Sequence, residues 1–208
     1  MTQHIRTDAD VAQGAAWLAQ AEPRFAAALA QTGPLPLRLS PDGFGALFNK
    51  IVSQQVSVAS ARAIWGRVVA AGLDTPDAVR RASQEDLKSV GLSRPKMKYA
   101  RALADAAIDY DRLRDASDAQ VIEILTAVSG IGVWTAQVYA MFNLGRADVF
   151  APGDLALQES ARMLFDLPQR PTPKQLEAMA LHWSPWRAVA ARLLFTYYRI
   201  AKDREGIT

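Results

Sequence analysis

Two helix-compatible runs meet at Gly130-Ile-Gly132, inside the stretch Leu125-Thr-Ala-Val-Ser-Gly-Ile-Gly-Val-Trp-Thr-Ala136. Glycines separated by one apolar residue enforce a tight reversal, so the stretch predicts helix, hairpin, helix. Both glycines are expected to permit positive φ and to leave neighbouring N–H groups unshielded. A helix opening directly after the turn adds its own free N–H groups and the positive end of its dipole. That combination suits a phosphate. A plain helix–helix connection has the same local pattern, and the turn alone does not separate the two.

The remainder of the chain carries helix punctuation almost throughout. Asp8 or Asp10 can cap a first helix with Val11, Ala15 and Leu18 on one face. Pro23 opens a second, with Phe25, Ala28 and Leu29 inward, and the prolines of Gly33-Pro-Leu-Pro-Leu-Arg-Leu enforce an extended segment. Asp42 precedes a helix through Phe44, Leu47, Phe48 and Ile51, and is expected to cap it. Ser57 caps the run Val58, Ala61, Trp65, Val68, which Gly72 closes. Thr75-Pro76, Thr172-Pro173 and Ser184-Pro185 read as cap–proline starts, Ser83 as a further cap, and Ser117 or Asp118 as the cap of the helix entering the hairpin. The last helix is expected to bury Val189, Leu193, Leu194 and Tyr197 and to turn Arg192, Arg199 and Lys202 outward or sideways. Strand signals are negligible and no solenoid repeat is present. The predicted fold class is all-α.

Composition narrows the chemistry. With 208 residues, half of them hydrophobic, the chain can bury a substantial core. It contains no cysteine, which removes disulfides, thiolate metal sites and a cysteine-held iron–sulfur cluster, and fits a cytoplasmic location. No apolar run approaches the roughly 18 residues of a membrane span, and the first residues lack a signal-peptide core. His4 and His182 are the only histidines and neither sits in a ligand-spaced cluster. No P-loop or dinucleotide fingerprint occurs. A net charge of +3 permits nucleic-acid binding without requiring it.

One carboxylate stands out. Asp154 follows Pro152-Gly153 and precedes the helical run Leu155, Leu157, Ala161. A helix N-terminus favours an anion there, and simple N-capping accounts for such a residue as well. Lys88, Arg94, Lys96 and Lys98 crowd around a second glycine turn, Val90-Gly91-Leu92. They read either as a solvated basic face or as phosphate contacts.

Four separated motifs occur in a familiar order: Gln54-Gln-Val-Ser-Val-Ala59, Leu125 to Ala136, Asp148-Val-Phe-Ala-Pro-Gly-Asp154, and Ser184-Pro-Trp-Arg-Ala188. From about Asp42 to Lys202 the chain resembles the helix–hairpin–helix (HhH-GPD) DNA glycosylases, and within them the 3-methyladenine DNA glycosylase II branch. The resemblance implies two helical lobes with a cleft between them, carrying a helix–hairpin–helix and a Gly/Pro…Asp catalytic loop. Residues 1–208 would form one glycosylase unit, with approximate lobes 1–55 plus 155–208 and 56–154.

The resemblance also implies the site. Asp154 would be catalytic, stabilising an oxocarbenium-like centre or activating water. Trp134 and Trp186 would wall the base pocket. Gln55 would enter the duplex as a wedge, although proteins that unstack DNA often use an apolar side chain there. Phosphate would be held at Gly130, Gly132, Thr135 and Ala136, with Arg94 and Lys96 as further DNA contacts. A monovalent cation, Na or K, would sit among the carbonyls of Thr126, Val128 and Ile131, no other cofactor being required. Bifunctional relatives carry a lysine where this chain has Trp134, so no strand-cutting lyase activity is expected. The expected activity is monofunctional base-excision repair: a monomer flips alkylated, cationic purines such as 3-methyladenine and 7-methylguanine out of double-stranded DNA and hydrolyses the N-glycosidic bond, with no membrane involved. The alternative is a catalytically silent helix–hairpin–helix grip on DNA.

Overall fold

Short polar side chains set the helix starts. In the computed structural model, which describes residues 3–204, the hydroxyls of Thr7, Ser57, Thr75, Ser83, Ser117 and Thr172 each accept the N–H three residues on. At Thr7, Ser83, Ser117 and Thr172 the reciprocal half of a capping box is present as well. The helices follow as α1 (Asp8–Ala21), α2 (Pro23–Thr32), α3 (Phe44–Ser53), α4 (Val58–Ala70), α5 (Pro76–Arg81), α6 (Gln84–Ser89), α7 (Arg94–Asp105), α8 (Tyr110–Asp115), α9 (Asp118–Thr126), α10 (Val133–Phe142), α11 (Leu155–Leu164), α12 (Pro173–Ala180) and α13 (Arg187–Arg204). A 3-10 turn, Leu181–Trp183, precedes the last. Among the described residues the only β pairing is an isolated antiparallel bridge, His4 with Arg146, so the all-α expectation holds.

Three expected caps are corrected. Thr7, not Asp8 or Asp10, caps α1, and Asp10 Oδ2 instead accepts the Thr7 N–H at 2.8 Å. Gly43, at φ 101°, is the N-cap of α3. Asp42 instead accepts from Arg114 Nε at 2.7 Å and Nη2 at 3.1 Å, because a guanidinium fork satisfies both of its oxygens. Ser184 does not start the last helix: its hydroxyl donates to Asp148 Oδ2, and α13 starts at Arg187.

The chain divides into two units, Met1–Leu39 with Ala140–Thr208, and Ser40–Tyr139. This moves both expected boundaries, 55/56 and 154/155. In the middle unit α3 packs on α4 and α7, through Phe44, Leu47, Phe48 and Ile51, so it cannot belong with the termini. Tyr139 closes that unit, its hydroxyl accepting the Gly43 N–H at 2.8 Å. In the terminal unit, residues 140–154 are tied to the N-terminal segment and to α13: Ile5 N–H reaches Gly145 O at 2.6 Å, Ala147 N–H reaches Gln3 O, and Ala188 N–H reaches Ala147 O.

The core of the terminal unit is built on α1, α2, α11 and α13 around Phe25, Phe150, Phe165 and Trp183, whose rings meet at centroid distances of 5.2–5.9 Å. Arg192 lies in this unit with no solvent exposure, against the expectation that it turns outward. Its guanidinium donates to the carbonyls of Leu37, Ala188 and Met141 and lies 4.9 Å from the Phe142 ring centroid. Burial, with Arg38 nearby, pulls it down to about 10, so it stays charged at neutral pH. Three carbonyl acceptors make a buried cation tolerable there. No helix among the described residues is long and apolar enough to cross a membrane.

Candidate nucleic-acid interface and active site

In the middle unit, α9 and α10 are joined by residues 127–132, and Ile131 N–H closes the turn on Val128 O at 3.0 Å. The two glycines do different work. Gly130 has φ 95°, and a Cβ on it would lie 2.3 Å from Cγ of Tyr99. Gly132 is not in the left-handed region, and a Cβ there meets nothing within 4 Å. Only Gly130 therefore needs glycine for the chain's own geometry. Gly132 keeps open an exposed surface beside the N-terminus of α10. Ala136 is a correction: its N–H is bonded to Gly132 O at 3.0 Å, inside the helical ladder. The N–H groups of Val133, Trp134 and Thr135 lie in the first turn of α10. The Thr135 side chain itself is buried.

The hairpin faces the loop between α3 and α4. Gln54, Gln55, Lys96, Tyr99, Thr126, Val128, Gly130, Ile131 and Gly132 all line one concavity of about 590 Å³. Gln55 is exposed and has φ 57°, rare for a residue with a side chain. Gln54 donates from Nε2 to Gly130 O at 3.0 Å. Arg94 is exposed at the start of α7, in keeping with a solvent or phosphate contact. Lys96 is not: it is 8% exposed and donates from Nζ to Val52 O at 2.7 Å, so it ties α7 to the C-terminal end of α3. Burial lowers its pKa. The carbonyls of Thr126, Val128 and Ile131 come from residues bordering this concavity, and Val128 O already accepts the Ile131 N–H.

The terminal unit holds Asp154. It is the N-cap of α11, its Oδ1 accepting the N–H groups of Ala156 at 2.9 Å and Leu157 at 3.2 Å. These two bonds fix the plane of a part-exposed carboxylate and so set where Oδ2 points. The loop before it is braced twice. Asp154 N–H bonds to Ala151 O, and the buried Gln158 donates to Pro152 O at 2.8 Å. The other acid of the motif, Asp148, accepts from Arg187 at 2.8 and 2.9 Å and from Ser184 Oγ at 2.8 Å. That pairing locks residues 184–187, and with them Trp186.

The two tryptophans differ in exposure. Trp134 is 46% exposed at the start of α10. Trp186 is 4% exposed, its ring seated where a Cβ on Gly14 would come within 2.6 Å. In the terminal unit Trp186 is thus a packing residue of α1 and α13 rather than a presented face. The sequence motifs give no separate role to Gln54, Gln158 or the Asp148–Arg187 pair. The adjacent glutamines and the two motif ends supplied a signal, but their partners lie 6 to 76 residues away. Among the described residues there is no cluster of His, Asp or Glu able to hold a divalent metal.

Comparison with known proteins supplies the wider frame. Residues 48–186 match the family model described as HhH-GPD superfamily base excision DNA repair protein. The chain is similar to the alkylbase DNA glycosidase-like protein mag2 of Schizosaccharomyces pombe, 24% identical over 200 residues that cover 90% of this chain and 94% of that protein. Its fold is similar to that of a DNA-3-methyladenine glycosidase from Bacillus halodurans, with 33% identity, TM-score 0.74, and coverage of 88% of this chain and 92% of the other. It is also similar to the 3-methyladenine DNA glycosylase Mag1 of Schizosaccharomyces pombe in complex with abasic DNA, with 26% identity, TM-score 0.77, and coverage of 88% and 95%.

Proposed function

The chain belongs to the HhH-GPD superfamily of base excision DNA repair proteins, and from that premise we propose that it is a monofunctional glycosylase releasing alkylated, cationic purines from double-stranded DNA. The observation that carries this reading is Asp154, a carboxylate fixed by two N–H groups at a helix end, in a loop braced by Gln158. A module that only grips DNA needs no oriented carboxylate of this kind.

The chemistry follows from the leaving group. Alkylation at N3 of adenine or N7 of guanine gives the base a positive charge. When the C1′–N bond breaks, its electron pair neutralises that charge, so little acid catalysis is required. Positive charge then builds on C1′ and the sugar ring oxygen, and an anion below that centre lowers the barrier. Water bonds to C1′ and gives a proton to the Asp154 carboxylate acting as base. The base must first leave the stack, which costs least when pairing is already weakened.

The middle unit supplies the grip in this reading. N–H groups at the hairpin, with Gly132 leaving the surface open, hold a phosphate, and Arg94 adds a cation. A monovalent cation held by the carbonyls of Thr126, Val128 and Ile131 would add positive charge beside that phosphate. Gln55, on its exposed loop, fills the gap left by the departed base. Trp134 offers an electron-rich indole face to a cationic base. Its place in the hairpin, where a lyase would need an amine nucleophile, agrees with simple hydrolysis. The protein acts as a monomer and without a redox cofactor.

The test is chromatography of methylated duplex DNA treated with the purified protein. Free 3-methyladenine and 7-methylguanine are expected, with the strand left uncut at the abasic sites. Tight duplex binding with no released base would establish the silent grip instead.

A further inference from the structure

Gln54 joins two parts of the middle unit that the proposed function uses separately. It ends α3 at φ −63°, ψ 132°, directly before Gln55. Its Nε2 donates to Gly130 O at 3.0 Å across 76 residues of sequence. Gly130 is also crowded by Tyr99, whose ring occupies the place where its Cβ would be. Gly130 is therefore met by both a ring and an amide. On the near side, Lys96 bonds to Val52 O at 2.7 Å, two residues before Gln54.

Gln55 lies between these ties with φ 57°. A residue with a Cβ stays in that region only where its surroundings over-determine it. The Lys96–Val52 bond fixes the entry to the loop. Ser57 fixes the exit, capping α4 through the Ser60 N–H. The bond from Gln54 to Gly130 sets the loop against the hairpin.

We propose that Gln54 is the positioning residue of base eversion. Its amide sets the distance between the Gln55 side chain and the phosphate-holding hairpin, so that seizing the backbone places the wedge in the stack. Gln54 touches neither the base nor the reacting sugar and acts through Gln55. This rests on the wedge and grip assigned under the proposed function.

The test uses Gln54→Leu, which keeps the side-chain size and loses the donor, and Gln54→Glu, which sets an acceptor against the Gly130 carbonyl. Thermal melting establishes that each variant folds, and Gln54→Asn serves if either does not. The first readout is independent of chemistry: fluorescence of a 2-aminopurine placed beside an abasic site in duplex DNA. The wild type is expected to raise it by unstacking. The variants should bind undamaged duplex within about twofold of the wild type but lose most of that rise.

The second readout is single-turnover release of 7-methylguanine from duplex and from single strands. The duplex rate is expected to fall about tenfold or more, and the single-strand rate to stay within about twofold. Gln54→Leu combined with Gln55→Ala should be no slower than Gln55→Ala alone, as required of a residue acting through its neighbour. Equal losses on both substrates, multiplying losses in the double variant, or an unchanged 2-aminopurine signal would overturn the proposal. Absence of base release by the wild type would overturn the glycosylase reading, and the fluorescence would still decide the role of Gln54.

Discussion

Asp148 holds Arg187 with two contacts of 2.8 and 2.9 Å, which sets it apart from Asp154, six residues later, whose Oδ1 caps α11. In the proposed function the two acids of one motif divide anchoring from chemistry. Asp154→Asn should keep the fold, since asparagine caps as well as aspartate. It should also lose at least about two orders of magnitude in base release, the scale for one well-placed electrostatic group. Asp148→Ala should instead lower unfolding stability by about 1–3 kcal/mol, with charge-assisted bonds removed from a half-buried arginine. Urea titrations and single-turnover rates on both variants check this. Wild-type turnover in Asp154→Asn would end its catalytic assignment.

The two hairpin glycines should separate fold from grip. Gly130→Ala meets Tyr99 at a backbone angle unfavourable to any side chain, and should destabilise by roughly 1–3 kcal/mol. A Cβ on Gly132 meets nothing within 4 Å, so Gly132→Leu should melt like the wild type. It should weaken binding to damaged and undamaged duplex alike, while wild-type binding falls steeply with salt. Loss confined to damaged DNA would mean that the hairpin reads the lesion.

Trp134 and Trp186 should respond differently to truncation. Trp134→Ala removes a half-exposed ring, so release of cationic bases should drop while stability is nearly unchanged. Trp186→Ala opens a cavity over Gly14 and should cost about 3–5 kcal/mol. Defined-lesion oligonucleotides report the specificity. Faster excision of 8-oxoguanine than of any cationic alkylated base would refute the pocket assignment.

Lys50 sets a pH dependence of stability. Burial lowers it to about 8, below the roughly 10.4 of an unfolded lysine. Under pH 8 both states carry the proton and folding bears the cost of a buried cation. Between about pH 8 and 10.4 the unfolded chain binds more protons, so stability contributed by this residue rises with pH, by an amount of order 1–3 kcal/mol. Lys50→Met should be more stable at pH 7 and lack that rise. Urea midpoints at pH 7 and 9.5 for both proteins measure it, and parallel curves would remove Lys50 as the cause.

Local chemistry made much of this protein legible in its sequence. Hydroxyl caps, prolines at first helical positions and the Gly-Ile-Gly turn act within about four residues, so Ser57, Ser83, Thr75 and Thr172 start helices where the sequence places them. The motif that puts Asp154 at a helix start is local in the same sense. What tertiary structure alone decided depends on partners distant in the chain. Arg192 looks like a surface cation by spacing, yet it is buried because Leu37 and Met141 bring carbonyls to it. Lys96 looks like a phosphate ligand, yet Val52 lies 44 residues away and 2.7 Å from its amine. Asp42 leaves its expected cap because Arg114 offers two bonds. Helical periodicity and capping encode which backbone forms, since those energies are settled between near neighbours. Which polar groups meet across tens of residues is settled by packing, and no local spacing carries that information.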